Sequence, residues 1–592
     1  PMFFILNVII KHDVNNAFFF AIAVAVGLTP EMLPMIVNSN LAKGAQKLAK
    51  EKVIVKKLSA IQNLGAMDIL CTDKTGTITE DRVVLMHYVD PFGNENEDVL
   101  NYAYLNSKYQ TGWRNLMDVA VLDYFASKKK TLPFETVSKI DEIPFDFSRR
   151  RLSVALSLAD ERVMITKGAV EEMAEVCASV LVNGEKVALT PELIEQMKAV
   201  NIKMNQDGMR VITVAQKTID SDTIRISDEN NLTILGFIGF LDPAKESAIT
   251  AISSLHAHGV TVKVLTGDNA IVAQKVCADV GIDAEHYLLG SDIDGMSDAE
   301  LTEQAENLHL FAKLNPMQKE RVISLLKKKG HTVGFMGDGI NDAPSLRTAD
   351  VGISVDTAAD ITKDASTIIL LEKSLQVLEI GVQEGRSVFI NMMKYIKITL
   401  SSNFGNVFSI LIASAFLPFL PMLSMQLLVQ NLIYDIAQLA IPWDNVDQEE
   451  IEKPVTWNMK NLLHFTFLIG PVSSIFDVLT FILLYFGFHY NTVASQGAFQ
   501  SGWFIVGLIT QTLALHILRT KKIPFIKSNA SFPVWFATTG VFVVGGILSL
   551  TSIGHFFDLS LLPITYWMIF PFIIIGYLVT LQFAKMIYQK NT

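Results

Sequence analysis

Residues 67–79 read MDILCTDKTGTIT. A short apolar run ends in Asp73, and the polar stretch after it alternates hydroxyl side chains with Gly76. A run of this length and composition predicts a buried strand, and the glycine lets the backbone approach a bulky anion. The pattern recurs twice. Residues 262–268 are VKVLTGD and residues 333–339 are VGFMGDG, each an apolar run closed by an aspartate beside Thr or Gly. Helical patterns lie between them, KESAITAISSLHAHG at 245–259 and MQKERVISLLKKKG at 317–330. Strand and helix in alternation predict a doubly wound α/β domain whose parallel strands bring their carboxyl ends to one site.

The chemistry at that site follows from the residue types. Phosphate chemistry is usually sought in a G-x-x-x-x-G-K-[ST] loop, and none occurs here. Asp73 at a strand end, followed by Lys74 and Thr75, is instead placed to act as a nucleophile and become an aspartyl-phosphate. Attack by an anion on a polyanion demands charge neutralisation from Mg²⁺ and a positioned cation. Asp338 and Asp342, in GDGINDAP at 337–344, offer hard oxygen ligands for Mg²⁺ together with Asp73 and Thr75. Lys319 is the cation expected on the phosphoryl oxygens. Thr266, Gly267 and Asp268 supply a hydroxyl and backbone amides at a second strand end.

Around this domain the chain is too apolar for an ordinary soluble enzyme: of 592 residues, 50% are hydrophobic and 18% charged. Residues 17–38 are long enough to span a bilayer but carry Glu31 between Pro30 and Pro34. After a long polar stretch, apolar segments near 398–418, 421–441, 462–488, 502–518, 532–553 and 563–584 predict six further crossings. Lysine and arginine cluster in 43–57, 394–397, 519–527 and 585–590, all on one side if the helices alternate, so the polar insertion is expected in the cytoplasm. The net charge of -11 argues against a nucleic-acid partner. Cys71, Cys177 and Cys277 are too scattered for a disulfide framework or a zinc site.

Ionisable residues inside spanning segments are functional by default. Glu31 lies where a broken helix would free carbonyls for an ion. Asn403 and Asn406 share one helix face, as do Asn431 and Asp435, which predicts an oxygen-rich cluster at membrane depth. Asp477, inside the next apolar segment, has no assigned role.

With DKTGT, TGD and GDGINDAP in one chain beside membrane helices, the sequence resembles the P-type ATPases, whose phosphorylation domain has the haloacid-dehalogenase fold. The resemblance implies a multi-pass membrane domain plus a cytoplasmic α/β phosphorylation domain with an inserted α+β nucleotide-binding domain. The expected parts are membrane helices in 1–42, the phosphorylation domain in 43–85 and 233–385, the nucleotide domain in 86–232 and six C-terminal helices in 386–592. Phe147 and Arg149 in FDFSRRRLSV, Lys167 and Gly168 in ITKGAVEEM, and Arg210 in DGMRVITVA match the family's adenine-stacking and phosphate-reaching positions. Physically, Phe147 suits a base and the cations suit phosphate, while Asp118 is a further candidate for the nucleotide.

The membrane stretches LTPEMLPMIV, SSNFGN, FLPFLPML and QNLIYDIAQLAIPWDN resemble the magnesium-transporting subgroup, whose transport site occupies these helix positions. The resemblance therefore implies ATP-driven Mg²⁺ transport into the cytoplasm across the cell membrane, with ATP, a divalent cation and the lipid bilayer as partners and Mg²⁺ as catalytic cofactor. It leaves the oligomeric state open. A pump for another cation such as Ca²⁺, or a non-catalytic fragment, are the alternative readings. The family's actuator domain carries a TGE loop, absent from these residues, and the resemblance begins inside the family's third membrane helix, so an N-terminally incomplete chain is expected.

Overall fold

The computed structural model describes residues 14–28, 32–74, 76–80, 82–112, 115–134, 136–146, 148–158, 161–182 and 184–590. They fall into two compact units, one formed by Pro1–Ala66 with Ile380–Thr592, the other by Met67–Glu379. Residues 43–66, expected with the phosphorylation domain, group with the first unit because the Leu33–Lys50 helix is continuous with its apolar beginning.

In the second unit a parallel sheet runs in the order Ile368–Leu370, Val351–Val355, Val333–Met336, Ile69–Thr72, Thr261–Leu265, Leu310–Ala312, Tyr287–Leu289. Ile69–Thr72 lies at its middle and is buried throughout, as its unbroken apolar pattern requires. Its neighbours on either side are the strands that precede Gly337-Asp338 and Thr266-Gly267-Asp268, so all three motifs open at one edge. That edge is a topological switch point, where α/β sheets place their ligands.

Between the first strand and the rest lies a mostly antiparallel sheet, ordered Val137–Asp146, Arg151–Leu158, Glu161–Ala169, Met209–Thr218, Leu232–Leu241, Cys177–Val182, Glu185–Ala188, with Val84–Val89 also on Leu232–Leu241. Leu232–Leu241 is almost wholly buried and returns the chain to the first sheet's active edge, ending at Asp242.

In the first unit five helices among the described residues are long and apolar enough to cross a membrane: Leu375–Phe416, Met459–Gly487, Val493–Leu518, Phe532–Leu550 and Ile564–Lys590. The sixth expected crossing is the Ser424–Gln438 helix of 15 residues. At 1.5 Å per residue it is about 22 Å long, short of the roughly 30 Å hydrocarbon core, and prolines at 418 and 421 precede it. Near the start of the chain, helices Val14–Leu28 and Leu33–Lys50 stand on either side of Glu31, which lies outside the described residues.

Helix contact in this unit depends on small residues. A Cβ on Gly405 would lie 2.0 Å from Ser473 Oγ, and one on Gly470 would lie 3.0 Å from the Ser401 carbonyl oxygen. The Leu375–Phe416 and Met459–Ile482 helices therefore touch backbone to backbone, and Ser474 Oγ donates to the Gly405 carbonyl at 2.8 Å.

Candidate functional site

Asp73 follows the central strand directly, with its side chain 22% exposed. The Lys74 amide donates to Asp73 Oδ1 at 2.8 Å and the Lys319 ammonium to Oδ2 at 3.0 Å, which leaves lone pairs open toward solvent. Lys319 rises from the first turn of the Pro316–Lys329 helix, capped by Asn315, and also holds Asp342 Oδ1 at 2.9 Å. Burial works against its charge, but Asp73 and Asp342 outweigh burial and hold its pKa above the ordinary lysine value. Lys319 is thus a fixed cation between two carboxylates.

Lys74 is fully buried and divides its ammonium between Asp242 at 2.9 Å and Asp268 at 2.8 Å. Arg210 meets the same two carboxylates, at 2.9 and 3.3 Å. Thr266 Oγ1 accepts from the Asp268 amide at 3.1 Å, so the TGD turn is folded on itself beside this network. Asp73, Lys74, Asp268, Lys319, Asp342 and Arg210 are thereby joined at one edge of the sheet. Thr75 lies outside the described residues.

The acidic residues here fit a hard divalent cation. Asp342 is 1% exposed and packs on Gly337, where a Cβ would lie 2.6 Å from its Oδ2, so that only glycine admits the carboxylate. Burial pushes the Asp342 carboxyl above its ordinary value, and the Asp73 charge adds to this despite Lys319. Two carboxylates that repel across a small space are what Mg²⁺ relieves. Asp338, two residues beyond its strand, is paired through Oδ2 with Lys373 at 2.5 Å.

In the inserted domain Lys167 lies opposite Leu152 and Val214, buried in the sheet, and its ammonium meets Asp118 Oδ1 at 2.5 Å and Ser107 Oγ at 2.6 Å. Gln110 adds a bond to Asp118 Oδ2 at 2.5 Å. Burial alone would raise the Asp118 carboxyl, yet Lys167, Gln110 and Ser107 together hold it below its ordinary value. Gly168 packs where a Cβ would lie 2.8 Å from Arg151 Cβ. Arg149 is turned to Glu229, which also receives Arg151 Nε at 2.9 Å and Ser153 Oγ at 2.8 Å. Phe147 lies outside the described residues.

The sequence reasoning missed Asp242, Glu229 and Lys373. Asp242 had a signal: it ends an apolar run, LTILGFIGFL, as Asp73 does. Glu229 and Lys373 sit in polar loops, where nothing local marks them.

In the membrane unit Asn406 and Asn431 border a small cavity of about 20 Å³, shared with Gln430, Ser473, Asp477, Thr510 and Gln511. Gln511 Nε2 donates to Asn406 Oδ1 at 2.8 Å. Asn403 and Asp435 stand on the same two helices, partly buried, and are not among the residues that line it.

A doubly wound unit with an aspartate at its central strand end and an antiparallel domain inserted after that strand, in one chain with several membrane-length helices, defines a membrane protein with a haloacid-dehalogenase-like catalytic unit. Comparison with known proteins agrees. The description "P-type ATPase, cytoplasmic domain N" matches residues 110–247, and "Cation transporting ATPase, C-terminus" matches residues 419–587. The whole chain is 53% identical over 595 residues to a magnesium-transporting ATPase, P-type 1, of Escherichia coli K12 and covers 66% of it. A protein of the same name from Salmonella typhimurium is 50% identical, again over the whole chain and 66% of the relative. A calcium-transporting ATPase of Listeria monocytogenes is 32% identical over 71% of the chain and 50% of the relative. The chain belongs to the P-type ATPase family. It spans 66% of the length of the magnesium-transporting relatives it matches.

Proposed function

We propose that this protein drives Mg²⁺ across the cell membrane, into the cytoplasm, through an aspartyl-phosphate formed on Asp73 from ATP, with its catalytic domains cytoplasmic. The observation that carries the reading is the Lys319 ammonium fixed between Asp73 and Asp342 at 3.0 and 2.9 Å. A carboxylate poised for attack on a phosphate anion needs such a cation, and a structural aspartate does not need its open lone pairs.

In the reaction, an Asp73 oxygen forms a bond to the γ-phosphorus while the bond to the β,γ-bridging oxygen breaks and ADP leaves with that electron pair. Lys319 stays protonated and neutralises charge as it passes to the equatorial oxygens. Lys74 and Arg210 hold Asp268 and Asp242 and so set the TGD turn, whose Gly267 amide and Thr266 hydroxyl would meet the phosphoryl group, the Thr266 and Asp268 amides being bound to the Phe311 carbonyl and to Thr266 Oγ1. Asp73, Asp338 and Asp342 would hold Mg²⁺, with Thr75, and bound Mg²⁺ supplies the remaining charge neutralisation. Lys167, Asp118, Gly168, Phe147 and Arg149 would form the nucleotide site, with Arg210, held by Asp242 and Asp268, at its phosphate end.

For the transported ion, the carboxylate and amide oxygens of Glu31, Asn403, Asn406, Asn431 and Asp435 suit a hard divalent cation that keeps part of its water. The names of the relatives at 50% and 53% identity favour Mg²⁺ over Ca²⁺.

Phosphorylation from γ-labelled ATP tests this. Wild type should take up hydroxylamine-sensitive label in a Mg²⁺-dependent way, and Asp73→Asn should take up none. Equal labelling of the two proteins sinks the proposal.

A further inference from the structure

The Met459–Ile482 helix carries Asp477 into the protein interior, 5% exposed. It is placed there by the close helix contact one turn earlier: Gly405 meets Ser473, and four residues on along both helices Ser409 meets Asp477. Among the described residues its oxygens receive only neutral donors, Ser409 Oγ at 2.5 Å and Trp503 Nε1 at 2.9 Å. Among the described residues no lysine, arginine or histidine lines the adjoining cavity. A buried carboxylate is costly unless a proton or a cation neutralises it.

The cavity supplies the second observation. Its volume of about 20 Å³ admits one water-sized occupant. Gln511, 6% exposed, borders it with Nε2 committed to Asn406 and with a buried Oε1 that has no hydrogen-bond partner among the described residues. Asn431, Ser473 and Thr510 bring further side-chain oxygens to the same space. A carboxylate, an unpartnered amide oxygen and room for one small occupant describe a cation site better than a site for an uncharged solute.

We infer that Asp477 and Gln511 are ligands of the transported cation, which extends the membrane site onto the Met459–Ile482 and Gln496–Leu518 helices. This rests on the transport reading proposed above. The ligand class is a small hard divalent cation with at most part of its water.

The test is Mn²⁺ binding, read by electron paramagnetic resonance on the purified protein, with Mg²⁺ as competitor. The background carries Asp73→Asn, Asp338→Asn and Asp342→Asn, which remove the carboxylates of the cytoplasmic site. Asp477→Asn should weaken binding at least about tenfold, as should Gln511→Ala, since even outer-sphere changes cost that much. Asparagine can accept from Trp503 through its one oxygen and donate its amide to Ser409 Oγ, whose hydroxyl is within reach of the Gly405 carbonyl, so the melting temperature should not move. If Asp477→Asn does not fold, Gln511→Ala and Asp477→Glu decide, and parental affinity in both overturns the inference. Parental affinity in Asp477→Asn beside lost binding in Asp435→Asn overturns it and leaves the transport reading standing. Absence of any Mg²⁺-competed Mn²⁺ in the parent background sinks the transport reading and the inference with it.

Discussion

Two buried carboxylates, Asp342 and Asp477, are surrounded in opposite ways. Asp342 has the Lys319 ammonium at 2.9 Å, and at the same sheet edge Lys74 and Arg210 meet Asp242 and Asp268, so that cation and anion alternate. Asp477 has a hydroxyl and an indole. Both carboxylates are themselves buried, so the contrast lies in what is expected to arrive. A site for a phosphate anion must carry its cations beforehand, because water is not there to supply the neutralising response. A site whose only charged guest is a cation gains nothing from a resident one, whereas at Asp73 and Asp342 an anion is proposed to arrive with the Mg²⁺, and Lys319 serves that anion.

That contrast breaks most visibly at Lys319. Lys319→Met should lower the rate of Asp73 phosphorylation by about 10²–10³-fold, the usual loss when one pre-placed electrostatic group is removed from a developing anion. ATP affinity should move much less, because the nucleotide meets other residues. Single-turnover labelling beside equilibrium nucleotide binding separates the two. A loss confined to affinity would mean that Lys319 only binds, and the contrast with Asp477 would lose its meaning.

Asp242 is the next largest effect. It lies 4% exposed and receives both Lys74 and Arg210. Asp242→Asn leaves two cations with one carboxylate, and breaking a buried pair in this way costs about 3–5 kcal/mol. Thermal or urea unfolding of the purified protein should show the loss. Arg210 cannot shed its proton, so no change of pH should restore it.

The sheet edge was legible from the sequence and much of what surrounds it was not, for physical reasons. A strand buried on both faces must be a continuous apolar run, so Ile69–Thr72, Thr261–Leu265 and Val333–Met336 announce themselves, and the aspartates at their ends mark the site. Asp242 ends a similar run, but its strand is antiparallel and belongs to the inserted sheet, and no local pattern says which other strand end it will meet. Hydropathy placed a crossing at 398–418, whereas the helix starts at Leu375, because Glu384, Arg386 and Lys394 lower the apolar score without disturbing helical hydrogen bonds. Asp477 stood out as a carboxylate in an apolar stretch. Its partner Trp503 lies 26 residues away on another helix, and only the glycine contact between spans brings the carboxylate to Ser409.

The smallest effect sharpens the comparison, since Asp118 and Lys167 form a buried pair that can yield. Lys167 is pulled below the ordinary lysine value by burial, which the Asp118 charge only partly offsets. After Asp118→Asn the lysine can release its proton into solvent, which Arg210 cannot do, so the cost stays near that of a charged hydrogen bond, about 2 kcal/mol at pH 7. The sign with pH follows from the depressed Asp118 carboxyl. Its contribution is present above the unfolded aspartate value of about 3.9 and is lost as pH falls through the lower folded value. Wild type and Asp118→Asn should therefore differ in stability near neutrality and converge in acid, below about pH 4. Urea unfolding at a series of pH values measures the gap. A gap that persists unchanged into acid would place the stabilisation in packing rather than in charge.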